Sequence, residues 1–255
     1  MELITSVPLV SFLIPLHRPL IHHLEELLKS LPLDQPELEF VVGINPHASF
    51  TLQPWLKQWQ LGAYWQIFEH QKILSVNAHY HFLQQRARGI WLAPVDQDDR
   101  WQYGRWQSLL SQIQKLRDDK PSLLASSPNL CNENLDISVN NNSRFLLEPL
   151  IQTPTLFRWF RVLCMNPVPG CCCIYSRSLL QLLGWPPAQP TTPFYDHQLI
   201  VRTLLSPRCR LVVLNGPRVD WRRHQGCVSG RRSTWFRIFI DRLRLLSVCF
   251  PRFGM

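Results

Sequence analysis

Residues Asn77 to Trp101 read NAHYHFLQQRARGIWLAPVDQDDRW, and the order of elements they imply decides the fold. Positions Ile73 to Arg88 read as a helix, with Gly89 behind it as the expected C-cap. Ile90 to Val95 is an apolar run of strand length that delivers its carboxyl end directly into Asp96-Gln97-Asp98-Asp99. Trp101 to Leu116 is then expected to be helical again.

The same alternation extends toward the start of the chain. Val7 to Leu16 (VPLVSFLIPL) is continuously apolar, as a strand buried on both faces should be. Leu20 to Leu31 is apolar at 20, 21, 24, 27, 28 and 31, a helical period with Pro32 beyond its end. Glu39 to Ile44 is a second short strand, closed by Asn45-Pro46. Strands alternating with helices predict an α/β fold: a mixed, mostly parallel central sheet flanked by helices, Rossmann-like in plan. Ligands of such sheets bind beyond the carboxyl ends of the strands, where Asp96 to Asp99 falls.

The second half is less regular. Ser126 to Asn142, rich in Asn and Ser, reads as a loop. Gly170 to Ile174 is expected as a strand, Ser176 to Leu183 as a short helix and Pro186 to Pro193 as a proline-rich linker. Asp196 to Leu205 reads as a helix, Arg210 to Leu214 as a strand and Gly216 to Gly230 as a polar, basic loop. Ser233 to Phe250 is amphipathic, with Arg237, Asp241 and Arg244 on one face and Phe236, Phe239, Leu243, Leu246 and Phe250 on the other.

Composition narrows the function classes. At 45% hydrophobic residues, with ten Trp and thirteen Phe, the chain has material for a packed core, which excludes disorder as its main state. The net charge of +9 is concentrated at one end: from Arg202 onward twelve Arg face only Asp220 and Asp241, a net +10 over the last 54 residues. A basic tail on a near-neutral body reads either as a solvated Arg-rich face or as the site of an anionic partner: substrate phosphates, an anionic membrane surface or nucleic acid. Against nucleic acid, no binding motif accompanies the charge, and the acidic turn would go unexplained. The eight Cys lack paired zinc spacing and no secretory signal pattern is present, so they are expected to be reduced, in a cytoplasmic protein. No run reaches the ~18 apolar residues of a membrane span. A peripheral position at the inner face of a membrane is the expectation that the tail adds.

Two carboxylates at i and i+2 after a strand can converge on one ion where the chain turns. Hard divalent cations, Mn²⁺ or Mg²⁺, prefer such oxygen ligands and keep substrate phosphates in their shell. An Asp-rich turn alone is more often a helix N-cap and solvated loop than a metal site.

The surrounding order adds to that signal. VSFLIPLHR (Val10 to Arg18), the Asn77 to Trp101 block, NPVPGCCCIYSRSLLQLLG (Asn166 to Gly184), FYDHQLIVRTL (Phe194 to Leu204) and VDWRRHQGCVSG (Val219 to Gly230) occur in sequence. Together they resemble the inverting glycosyltransferases of the GT-A fold, bacterial rhamnosyltransferase-like members in particular, over residues 7 to 230. The resemblance implies transfer of a sugar from a nucleotide-diphosphate sugar to a glycan or lipid-linked acceptor, with a divalent cation as cofactor. Pro15, Leu16, His17, Asn45, Asp96 and Gln97 would then hold the nucleotide sugar, with Arg222 and Arg223 on its phosphates. Asp98, Asp96 and His224 would hold the metal, Gly170 and Cys171 would floor the acceptor site, and Asp196 would be the general base. Residues 1–125 would form a nucleotide-sugar-binding half, 126–230 an acceptor-binding half of the same domain, and 231–255 a basic amphipathic tail that lies on an anionic membrane, packs on the body or meets a second subunit in a homodimer. The chain departs from the family where Asn45-Pro46-His47 replaces an Asp pair, and at Arg18, Ser75, His79 and His81. A non-catalytic scaffold of the same fold and a basic nucleic-acid-binding protein are the competing readings.

Overall fold

The computed structural model describes residues 7–46, 64–116, 120–137, 161–184, 195–224 and 235–249. The expected α/β architecture is present, and its parallel part is built around strand β1 (Val10–Leu16). β2 (Leu38–Ile44), buried at all seven positions, runs parallel on one side. β4 (Trp91–Pro94) runs parallel on the other. β3 (Trp65–Glu69) extends the parallel set beyond β2 as a half-buried strand. On the far side come β8 (Cys173–Ser176), antiparallel to β4, then β6 (Ser122–Ala125) and β9 (Arg210–Val213). The seven strands lie in the order β3-β2-β1-β4-β8-β6-β9.

Phe12 stacks on Phe40 and Phe40 on Trp65, with centroids 5.2 and 4.7 Å apart, so aromatic pairs bind the first three strands across their register. Helices α1 (Ile21–Ser30), α2 (Val76–Arg86), α3 (Arg105–Lys115), α4 (Arg177–Leu183), α5 (Tyr195–Leu205) and α6 (Trp235–Cys249) complete the described fold. Ser75 and Ser176 cap α2 and α4, their hydroxyls accepting the backbone N–H of Ala78 and Leu179. No helix among the described residues is long and apolar enough to cross a membrane.

Several details differ from the sequence reading. Gly89 is not a C-cap: α2 ends at Ala87 in extended backbone, and a Cβ on Gly89 would stand 2.5 Å from Ser11 Oγ and 2.6 Å from Ser11 N. The glycine lets the chain pass against β1 rather than turn left-handed. Trp101 belongs not to a helix but to β5 (Arg100–Trp101), which joins β10 (Val219–Arg222) and β7 (Asn129–Cys131) in a three-stranded sheet. The segments read as loops at 126–142 and 216–230 therefore each contain a strand. Their centre is Asp220, 1% exposed, which accepts hydrogen bonds from Arg100, Gln102 and Asn129. Gly170 to Ile174 is a 3-10 turn (Gly170–Cys172) leading into β8. The proline-rich linker lies outside the described residues.

The tail helix does not turn the whole of the apolar face read from the sequence onto the body. Leu245 is buried, while Leu243 and Leu246 are 47% and 36% exposed. Arg242 anchors the inner face, its Nε donating to the Cys164 carbonyl at 3.0 Å. The side chains of Phe236, Phe239 and Phe250 lie outside the described set.

Candidate active site

The register of the sheet gathers the site. Pro94 ends β4 opposite Leu13, three residues before β1 ends at Leu16, so Asp96 to Asp99 emerge beside His17. Gln97 and His17 lock these two loops: the Gln97 Oε1 accepts from the His17 backbone N–H at 2.7 Å, and its Nε2 donates to the His17 carbonyl at 2.9 Å. Arg18, next along, adopts φ 48, a left-handed conformation that favours Asn or Gly over Arg. Asn45 donates to the Leu74 carbonyl and accepts the Leu74 backbone N–H, at 3.0 and 2.9 Å. Its amide thus fastens the end of β2 to the approach to α2 and stands 3.5 Å from His17 Nδ1.

The three acids of the turn point in different directions. Asp96, half-buried, accepts the Tyr80 hydroxyl hydrogen at 2.6 Å from α2. Burial first, then the Asp98 charge, raise its pKa to about 7 against the pull of the Tyr80 hydrogen bond. Asp98 pairs with His224, Nε2 to Oδ2, at 2.7 Å. Asp99 is 1% exposed and accepts the Arg222 backbone N–H at 3.1 Å, while its Oδ2 has no hydrogen-bond partner among the described residues. The metal ligands read from the sequence thus divide. Asp98 turns to His224, while oxygens of Asp96 and Asp99 and the Cys171 sulfur lie within 4.8 Å of one another. An oxygen-rich, anionic cluster with one buried unpaired carboxylate oxygen fits a divalent cation.

Arg222 does not reach outward to a phosphate. It is 2% exposed, and its guanidinium donates to the carbonyls of Asp98 and Glu133, both at 2.8 Å, and to the Glu26 carboxylate. It braces the acidic turn instead. Arg223, half-buried, lies over the Trp221 ring at 4.8 Å. Behind His224 lies His23 of α1, its ring centroid 5.6 Å away and both of its nitrogens buried without a hydrogen-bond partner among the described residues. Desolvation first, then the positive field of Arg222, lower the pKa of His23 to about 4.

Because β8 runs antiparallel, its amino end shares the edge at which β1, β2 and β4 terminate. The Gly170–Cys172 turn therefore packs between the acidic turn and the start of α5. A Cβ on Gly170 would stand 2.1 Å from the Tyr195 hydroxyl, so only glycine admits α5 this closely. Asn77 of α2 accepts the Tyr195 backbone N–H at 3.0 Å and fixes that helix start. Asp196 follows, buried. Its Oδ2 accepts from Asn166 Nδ2 at 2.8 Å and its Oδ1 from the His197 backbone N–H at 2.8 Å. Burial raises its pKa to about 6, against the pull of those two hydrogen bonds and others from backbone N–H groups. That is a suitable value for a group that must accept a proton near neutrality. Asp196 also lies close enough to Asp96 for its charge to raise the Asp96 pKa.

The fold brings Pro15 to His17, Asn45, Asp96 to Asp98, Gly170, Cys171 and Asp196 to one edge of the sheet. Sequence reasoning missed Tyr80, Asn77, Asn166 and His23. The spacing of Asn77 and Tyr80, one helical turn apart, was the available signal for the first two.

No family model matches the sequence, and no curated protein matches it either. Solved structures do match the fold. Residues 1–349 of S. aureus TarS in complex with UDP-GlcNAc superpose with a TM-score of 0.68 at 16% identity, over 96% of this chain and 67% of that one. The same fragment in complex with UDP gives 0.64 at 15% identity, over 96% of this chain and 66% of that one. The mannosyltransferase PcManGT from Pyrobaculum calidifontis, in complex with GDP-Man and Mn²⁺, gives 0.56 at 16% identity, over 82% of this chain and 55% of that one. The chain thus spans about two-thirds of the TarS fragment and just over half of the mannosyltransferase. At these identities the likeness is one of fold.

Proposed function

We propose that this chain transfers a sugar from a nucleoside-diphosphate sugar to a hydroxyl of a glycan or lipid-linked acceptor, with inversion at the anomeric carbon. The observation that carries the reading is Asp196. It is a buried carboxylate with a raised pKa, held by Asn166 across the Gly170–Cys172 turn from the strand-end acids. The fold shared with proteins bound to UDP-GlcNAc and GDP-Man supports it.

On this reading the nucleotide lies at the ends of β1 and β2, against Pro15, Leu16, His17 and Asn45. Asp96 and Gln97 face it from the end of β4, and Arg223 meets the diphosphate. Asp98, Asp96 and His224 would hold a divalent cation, Mn²⁺ or Mg²⁺, which when bound neutralises charge on the departing diphosphate. Asp196 accepts the proton of the acceptor hydroxyl as that oxygen bonds to the anomeric carbon. The bond from carbon to the diphosphate oxygen breaks on the opposite face. Arg222 and Tyr80 act by holding the acids in place, and Gly170 and Cys171 would floor the acceptor side.

The test is Asp196→Asn, scored against a panel of nucleotide sugars with Mn²⁺. Donor affinity should be retained and transfer lost, because the base acts on the acceptor. Equal loss of donor affinity would contradict the role. A panel in which no donor binds, and in which Asp98→Ala changes nothing, would sink the enzymatic reading in favour of a scaffold.

A further inference from the structure

Asp99 is the one acid of the turn to which the proposed transfer gives no task. Its Oδ2 is buried without a hydrogen-bond partner among the described residues, a costly arrangement for a carboxylate. Arg222 meets Asp99 through its backbone N–H, and its guanidinium donates to Glu26 and to the carbonyls of Asp98 and Glu133. Facing Asp99 are a carboxylate oxygen of Asp96 and the sulfur of Cys171, which is 1% exposed.

We propose that Asp96, Asp99 and Cys171 form an inner cation site that takes a borderline divalent ion, Zn²⁺ or Co²⁺, in preference to Mg²⁺. The three ligand atoms lie within 4.8 Å of one another. Metal bonds of about 2.0–2.3 Å hold the ligands of one tetrahedral ion roughly 3.3–3.5 Å apart, so a contraction of at most roughly 1.5 Å closes the site. Sulfur sets the preference. A thiolate suits Zn²⁺ and Co²⁺, whereas Mg²⁺ asks for near-ideal octahedral oxygen and retains its waters. On binding, the Cys171 thiol proton leaves to solvent, and the ion supplies the partner that Asp99 Oδ2 lacks. The site shares Asp96 with the outer Asp98–His224 pair but does not depend on sugar transfer.

The test is optical titration of the full chain, stripped with a chelator, with Co²⁺. A near-ultraviolet thiolate-to-cobalt charge-transfer band should appear in the wild type and in Cys164→Ser, which alters an exposed cysteine. It should be absent in Cys171→Ser. Asp99→Asn keeps a carbonyl oxygen for the Arg222 N–H, so the fold should hold and the band should persist with Co²⁺ affinity about tenfold or more weaker. A wild-type titration without the band, a band that survives in Cys171→Ser, or displacement of Co²⁺ by equimolar Mg²⁺ would overturn the proposal. If the band is missing while a nucleotide sugar still binds with Mn²⁺, this site fails and the transfer reading stands.

Discussion

Asn166 donates through Nδ2 to Oδ2 of Asp196 at 2.8 Å, and the bond holds the carboxylate in its ionised form against the burial that favours protonation. The acidic limb of a transfer-rate profile should therefore fall near pH 6, with activity rising as Asp196 loses its proton. Asn166→Ala removes a hydrogen bond that lowers this pKa, so the limb should move to higher pH while the high-pH plateau changes less. A profile in which the plateau collapses and the limb stays in place would mean that Asn166 acts on the fold and not on the base.

Tyr80 does the same for Asp96. Tyr80→Phe conserves volume but deletes the hydroxyl that donates at 2.6 Å, so the Asp96 pKa should rise above its present value of about 7. Donor affinity measured calorimetrically with Mn²⁺ should drop near neutrality and recover as the pH is raised. Stability carries the matching sign. A folded-state pKa above the ordinary 3.8 means that the native state binds the extra proton, so Asp96 makes stability fall as pH rises from about 4 to about 7. The variant should extend that fall to higher pH, and urea midpoints across the interval would check it.

Arg222 and Arg223 are neighbours with opposite expected phenotypes. Arg222→Lys cannot reproduce a fork that serves Glu26 and two carbonyls, so it should cost about 2–3 kcal/mol of stability and weaken donor binding through the acidic turn. Arg223→Ala, at a half-buried position over Trp221, should cost about 1 kcal/mol or less while lowering affinity for the diphosphate. Thermal melts paired with UDP and uridine binding separate the two, since only a phosphate contact distinguishes the ligands.

These pairings mark where the sequence stops being legible. Val10–Leu16, Leu38–Ile44 and Trp91–Pro94 announced themselves because strands buried on both faces read as unbroken apolar runs. β3 did not, since a half-buried edge strand with the sequence WQIFE carries little periodicity. β5, β7 and β10 are held by side-chain bonds converging on buried Asp220, a polar device that no hydrophobic pattern reports. Gly89 was visible as a glycine, but that it clears Ser11 on β1 is a fact of packing. In the site, the acids and Asp196 were legible by type and order. Their partners Tyr80 and Asn166 were not, and Cys171 was read only as acceptor floor, because contact across separate elements leaves little mark on local spacing.

The tail helix supplies a last prediction, and its two faces must be tested separately. Leu245 is fully buried, so Leu245→Ala should cost about 2–4 kcal/mol and lower the melting temperature. Leu243 and Leu246 are exposed beside Arg244, which pairs with Asp241, and we propose that this outer face meets an anionic surface. Replacing both by Ser should leave the melt within about 0.5 kcal/mol of wild type, as expected for surface positions. Co-sedimentation with vesicles containing an anionic phospholipid should fall in that double variant and in the wild type at high salt, and should be absent with neutral vesicles. Binding that ignores lipid charge, salt and both leucines would remove the membrane from this helix. A concentration-dependent change in sedimentation coefficient, lost in the same double variant, would assign the face to a second copy of the chain instead.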